Sequence, residues 1–125
     1  MKYIQSEQAP RPVGPYSHAI QVGNFLFLSG QIGIDPSTGD LVPGDIKDQT
    51  RRALANIKAV LEEAGYSISS VVKTTVFLTT MENFTAMNEV YADFFGSHKP
   101  TRSCVAVAQL PKNALVEIEA VAFRD

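Results

Sequence analysis

The stretch from Lys99 to Ala120 constrains this chain more than any other part of it. Side chains on a strand alternate between the two faces of its sheet. In Val116-Glu117-Ile118-Glu119-Ala120 that alternation puts two carboxylates on one face and three apolar groups on the other. Upstream, Arg102 begins a strand whose alternate positions continue as Cys104, Ala106 and Ala108, and a short loop containing Pro111 joins the two strands. The glutamates have two readings, solvated groups on the outer face of an antiparallel strand or the acid–base groups of a cleft. Arg102 also has two. It is a surface or intramolecular partner of a glutamate, or a planar fork that binds a carboxylate bidentately. Cys104 has no sequence-evident histidine or carboxylate beside it, so it reads as a small buried hydrophobe rather than a nucleophile.

The chain before this stretch supplies a scaffold. Residues 1–8 can form a short edge strand. Ala9-Pro10-Arg11-Pro12-Val13-Gly14-Pro15 then breaks any regular element, because each proline fixes its own φ and lacks an N–H. The stiffened loop presents Tyr16 and Ser17, and Tyr16 is either a loop aromatic on the domain edge or a pocket wall. His18 reads as a residue that caps a loop or lies exposed, although imidazole suits proton transfer. Ala19–Val22 and Phe25–Leu28 flank Gly23-Asn24, a two-residue hairpin signal. The second of these strands runs into Ser29-Gly30-Gln31-Ile32-Gly33, where glycine permits close backbone approach. No lysine-bearing P-loop pattern follows and no helix lies directly behind it, so a phosphate cradle is not expected there.

Asp45 is the expected N-cap of a helix, with Asp48 in a capping-box position and Gly65 as the stop. Thr50, Leu54, Ile57, Leu61 and Ala64 share one face of it. Val71–Leu78 is a β-branched strand. A second helix is expected from about Glu82 to Phe95, with Phe84, Met87, Tyr91, Phe94 and Phe95 as its apolar stripe. Asn88 interrupts the stripe and needs a hydrogen-bond partner if buried, for which a nearby backbone group is the plain candidate. The order is three strands, helix, strand, helix, two strands. It predicts a layered α/β (α+β) sandwich in which helices return the chain between parallel strands.

Composition narrows the function classes. A length of 125 residues suits one domain, 1–125, that buries about two-thirds of its unfolded surface. A net charge of −2 offers no basic field for nucleic acid or anionic membrane. No apolar run approaches the roughly 20 residues that cross a bilayer, and the first residues lack the apolar core of a signal peptide. With one cysteine, an intrachain disulfide and a cysteine-cluster metal site are both excluded. A cytoplasmic address is the expectation.

Motifs along nearly the whole chain carry a resemblance. They are Gly14-Pro15-Tyr16-Ser17-His18-Ala19, Ser29-Gly30-Gln31, Gly44-Asp45-Ile46, Asn56-Ile57 with Leu61-Glu62-Glu63-Ala64-Gly65, and Asn88-Glu89-Val90-Tyr91. Arg102-Ser103-Cys104-Val105 and Leu110-Pro111 follow, then Glu117-Ile118-Glu119-Ala120. In order and approximate spacing this resembles the signature of the reactive intermediate deaminase (RidA/YjgF) family. The resemblance implies a fold similar to the small trimeric Bacillus-type chorismate mutases, with a mixed sheet and both helices on one face. The last strand would insert antiparallel into that sheet, so Arg102 and Glu117 need not be hairpin partners. A single helix layer leaves the other sheet face, with Val121 and Phe123 on it, in need of cover. The family implies a homotrimer with a site at each subunit interface.

The activity implied is hydrolysis of 2-imino acids to 2-oxo acids and ammonia. The substrates implied are 2-iminobutanoate and 2-iminopropanoate, with enamine tautomers such as 2-aminoacrylate. On that reading Arg102 holds the substrate carboxylate and Glu117 orients and deprotonates water. The backbone around Gly30 and Cys104 aligns water or imine, while Tyr16, Ser29 and Asn88 shape the pocket. No cofactor and no metal is expected, since no His/Cys/Asp cluster is evident. Two other classes stay open: a translation-inhibiting endoribonuclease and a non-catalytic ligand-binding or regulatory trimer. The first needs a phosphate-binding surface, against which the pI of about 5.6 and the absence of a Lys/Arg run weigh.

Overall fold

The period-two and period-3.6 patterns resolve, in the computed structural model of residues 1–125, into six strands and two helices. The strands are β1 (Lys2–Ile4), β2 (Ala19–Val22), β3 (Phe25–Ile32), β4 (Val71–Leu78), β5 (Thr101–Ala106) and β6 (Val116–Phe123). Helix α1 spans Ile46–Glu63 and α2 spans Phe84–Phe95, and one mixed sheet runs β1-β2-β3-β6-β4-β5. Every neighbouring pair is antiparallel except β4 and β5, which α2 connects as a parallel crossover. The last strand thus lies between β3 and β4, and β4 separates Glu117 from Arg102.

Local chemistry sets the element ends. Asp45 Oδ1 accepts from the Lys47 and Asp48 amides at 3.0 and 3.4 Å, while Asp48 Oδ2 accepts from the Asp45 amide at 3.1 Å. This closes the expected capping box and satisfies amides that the first turn leaves without partners. After the C-cap Ala64, Gly65 takes φ +80°, a left-handed conformation that favours glycine. Helix α2 starts at Phe84 rather than Glu82, because Met81–Asn83 forms a 3₁₀ turn first, capped by Thr80. Strand β5 ends at Ala106, so Ala108 falls outside it. The Val107 amide still donates to the Leu78 carbonyl at 2.8 Å, after which the chain leaves the sheet.

The core lies between the sheet and the two helices. Leu26 and Leu28 of β3, Val76 and Leu78 of β4, and Val116, Ile118, Ala120 and Ala122 of β6 are buried with Leu54, Ile57, Val60 and Leu61 of α1. From α2 the buried residues are Met87, Val90 and Phe95, so Val90 replaces Phe84, Tyr91 and Phe94 in the deepest part of the stripe. Each large aliphatic side chain buried in this way contributes about 1.5–3 kcal/mol. Asn56, fully buried on α1, donates from Nδ2 to the Ile32 and Ile34 carbonyls at 3.1 and 3.0 Å. Gln49 Oε1 accepts from the Leu115 amide at 2.8 Å. Helix α1 therefore holds both the end of β3 and the start of β6.

The other face of the sheet has no helix over it. Tyr3, Phe25 and Phe27 are 65%, 44% and 49% exposed there. Phe25 packs on Phe123 at 4.9 Å between ring centroids, and Val121 pairs with Phe27 across the β3–β6 ladder.

Candidate active site

The expected site residues fall into two groups on opposite faces of the sheet. Residues paired directly across a ladder project to the same face. Arg102 pairs with Thr74, which is buried beneath the helices, whereas Glu117 pairs with Phe77 and Glu119 with Thr75 on the open face. Within one chain Arg102 and Glu117 therefore do not meet.

The open-face group surrounds a cavity of about 430 Å³ whose walls include Tyr16, Ser29, Gly30, Ile34, Glu117 and Glu119. Opposite β6 the β3 ladder shifts register between Leu28 and Gln31, which places Ser29 and Gly30 in a bulge. A Cβ on Gly30 would collide with Glu117 Oε2, so the absence of a side chain is what lets the carboxylate lie against the strand. Ser29 Oγ donates to the Ser17 carbonyl at 2.7 Å and ties the bulge to the loop that carries Tyr16. Glu117 forms no ion pair. Burial pushes its carboxyl above the ordinary glutamate range, and the neighbouring Glu119 charge pushes it the same way. Such a group exchanges a proton closer to neutrality than a solvated glutamate does.

His18 belongs to the scaffold of this cavity. It is 2% exposed, its Nδ1 accepts from the Ser6 amide at 3.0 Å, and its Nε2 donates to the Pro10 carbonyl at 2.7 Å. Both ring nitrogens are engaged, which leaves none for proton transfer. Arg11 and Lys112 also line the cavity, and nothing in the motif reading singled them out. Lys112 and Asn113 both take φ +57°. That left-handed pair turns the chain into β6, and it carries no glycine to mark it in the sequence.

The second group lies between β5 and α2. Arg102 Nη1 donates to Asn88 Oδ1 at 2.7 Å, so the partner of Asn88 is a side chain and not a backbone group. The guanidinium lies 5.5 Å from the Phe84 ring centroid and 4.8 Å from that of Tyr91. Arg102 forms no ion pair with any glutamate, and one hydrogen bond leaves most of its five N–H donors free. Cys104 is partly buried against the core on the same face. Burial raises its thiol pKa and the Arg102 charge opposes the rise, which matches a packing role. Phe84 and Tyr91 are expected as part of the apolar stripe, Tyr91 also within a motif, and neither is expected to face the arginine. The signal for them is their spacing, since 84, 88 and 91 share one helical face.

No three His, Cys, Asp or Glu side chains converge anywhere in the fold, and no helix is long and apolar enough to cross a membrane.

Comparison with known proteins gives a consistent result. The profile of the family described as Endoribonuclease L-PSP matches residues 6–124. A RutC family protein of Pyrococcus horikoshii is 60% identical over 122 residues, spanning 98% of this chain and 97% of its own length. A protein of Dermatophagoides farinae named 2-iminobutanoate/2-iminopropanoate deaminase is 48% identical over 120 residues, spanning 96% of this chain and 94% of its own. The crystal structure of E. coli TdcF with bound serine superposes with a TM-score of 0.96 at 45% identity, covering all of both chains. The mixed sheet with both helices on one face, expected from the family resemblance, is the fold this chain shares with E. coli TdcF. The chain belongs to the Endoribonuclease L-PSP family, which is the RidA/YjgF family its motifs resemble.

Proposed function

We propose that the protein is a deaminase of reactive 2-imino acids, hydrolysing 2-iminobutanoate, 2-iminopropanoate and their enamine tautomers to 2-oxo acids and ammonia. The observation that carries this reading is the Glu117 carboxyl, unpaired, held against Gly30 in a cavity and shifted toward neutral pH. The names of the Dermatophagoides farinae deaminase and of E. coli TdcF, called a reactive intermediate deaminase, support it.

In the proposed reaction Arg102 binds the substrate carboxylate through its free parallel donors. The imine reacts as its iminium ion, and Glu117 takes a proton from water as the oxygen attacks the C=N carbon, which gives a neutral carbinolamine. Glu117 then gives that proton to the amino group, and the C–N bond breaks to release ammonia. The hydroxyl proton passes to Glu117 as the carbonyl of the 2-oxo acid forms, and transfer of that proton to the departing ammonia restores the carboxylate. Gly30 and the Cys104 backbone align water and imine, and Tyr16, Ser29 and Asn88 shape the pocket.

Because Arg102 and Glu117 face opposite ways in one chain, the reading places them in different protomers of a homotrimer. The uncovered sheet face is the surface through which the protomers would associate.

The test is a coupled assay in which a pyridoxal phosphate-dependent dehydratase generates the imine and 2-oxo acid release is followed. Glu117→Gln, nearly isosteric, should fold and bind 2-oxobutanoate yet lose turnover about 10²–10⁴-fold. Parent-like turnover in that variant would refute the assignment. Turnover also separates this reading from a purely ligand-binding trimer. An endoribonuclease, the activity in the family's description, would instead cleave RNA under conditions where the imine is untouched.

A further inference from the structure

Arg102 is held by more than the residue it is hydrogen-bonded to. On α2, Phe84, Asn88 and Tyr91 occur at i, i+4 and i+7, so they form one stripe along the helix. The Arg102 guanidinium lies over both rings of that stripe, closer to Tyr91 at 4.8 Å, and bonds the amide between them at 2.7 Å. The Tyr91 ring is itself fixed from two sides. Its hydroxyl is 2.7 Å from Thr74 Oγ1, and its ring packs against Phe95 at 4.7 Å between centroids. Thr74 is 1% exposed and is the residue directly opposite Arg102 on the neighbouring parallel strand. Strand β4 therefore anchors the hydroxyl, α2 carries the ring, and β5 carries the arginine that the ring faces.

An arginine side chain has four rotatable bonds, and its orientation at a carboxylate site is what gives bidentate binding its value. A ring face attracts the cation without consuming an N–H donor, whereas a carboxylate partner would occupy the donors that a substrate needs. We propose that Tyr91 is a positioning residue of the carboxylate site. Its ring, anchored by Thr74 and backed by Phe95, sets where the Arg102 guanidinium lies and leaves its remaining donors free for the substrate. The proposal rests on the reading of Arg102 as the carboxylate clamp.

The experiment compares the parent, Tyr91→Leu, Tyr91→Phe, Arg102→Lys and the Tyr91→Leu/Arg102→Lys double variant. Each is assayed on 2-iminobutanoate and on a decarboxylated imine of the same chain length, with 2-oxobutanoate binding followed by calorimetry. Tyr91→Leu should lose roughly tenfold in kcat/KM on the imino acid, mostly through KM, from loss of a half-buried cation–π contact. Binding of 2-oxobutanoate should weaken in parallel, and the decarboxylated imine should be unaffected. Tyr91→Phe keeps the ring and loses one neutral hydrogen bond, so a rise in KM of about twofold to fivefold is expected. In the Arg102→Lys background Tyr91→Leu should add little, since the two act on one interaction.

Parent-like behaviour of Tyr91→Leu beside an impaired Arg102→Lys overturns the proposal while the clamp stands. Equal losses on both imines, or additive losses in the double variant, also overturn it, because a general packing defect has that signature. A parent-like Arg102→Lys overturns the clamp itself, and the proposal with it. If Tyr91→Leu does not fold, Tyr91→Phe carries the test, and an unchanged KM there overturns the proposal.

Discussion

A methyl group at position 30 would occupy the space now taken by the Glu117 carboxylate. The atoms it meets are the end of a flexible side chain, so the cheap response is for Glu117 to swing away while the strands stay paired. Gly30→Ala should therefore fold with a melting temperature near that of the parent. It should lose imine hydrolysis about a hundredfold or more, the size of a general acid–base contribution. Calorimetric melting beside the coupled assay checks both halves, and an active Gly30→Ala would show that the carboxylate need not lie against the strand. Other single residues here have plain structural work. His18 has both ring nitrogens engaged with backbone groups of the segment before it, and Cys104 packs on the core edge.

Along β6, Glu117 and Glu119 are two residues apart and so project to the same face, with Phe77 and Thr75 of β4 opposite them. Lys73, the nearest cation along β4 from Thr75, forms no ion pair with either. After burial, the Glu119 charge is the second cause that disfavours ionisation of Glu117. The raised pKa of Glu117 has a consequence for rate. As the proposed base Glu117 must be ionised, so activity should fall as pH drops through that raised value. Glu119→Gln removes the like charge, which lowers the Glu117 pKa and moves the acid limb of the kcat/KM profile to lower pH. An acid limb that stays in place or moves up would contradict this.

The sign for stability is the reverse of that for a salt-bridged carboxylate. With a folded-state pKa above the unfolded one, Glu117 favours folding below the ordinary glutamate pKa. That contribution is lost as pH rises through the raised value.

For the whole molecule the main feature is asymmetry, with two helices on one sheet face and none on the other. The bare face carries Phe25 and Phe27, both more than two-fifths exposed, beside Val121 and Phe123. Contiguous apolar surface of this kind is usually covered by association. A homotrimer is the expected outcome, checked by native mass spectrometry at micromolar concentration. A dominant monomer would leave Arg102 and Glu117 on opposite faces with nothing to unite them, and would sink the proposed site.

Much of this fold was legible in the sequence because its rules are local. The Asp45–Asp48 capping box, the Gly23-Asn24 hairpin, the Val71–Leu78 strand and the alternation of Val116–Ala120 each depend on a few consecutive residues. Insertion of the last strand and the single helix layer came from family resemblance, since neither follows from periodicity. What only the tertiary structure decided is the relation between strands. Arg102 pairs with Thr74 and Glu117 with Phe77. Those partners are an odd number of residues apart on β4, so the two candidate site groups emerge on opposite faces. An even offset would have put them together. Alternation within a strand is a property of its own backbone, but register between strands is set by packing across the whole sheet. The partner of Asn88 was hidden for the same reason, because α2 and β5 meet only when the chain folds.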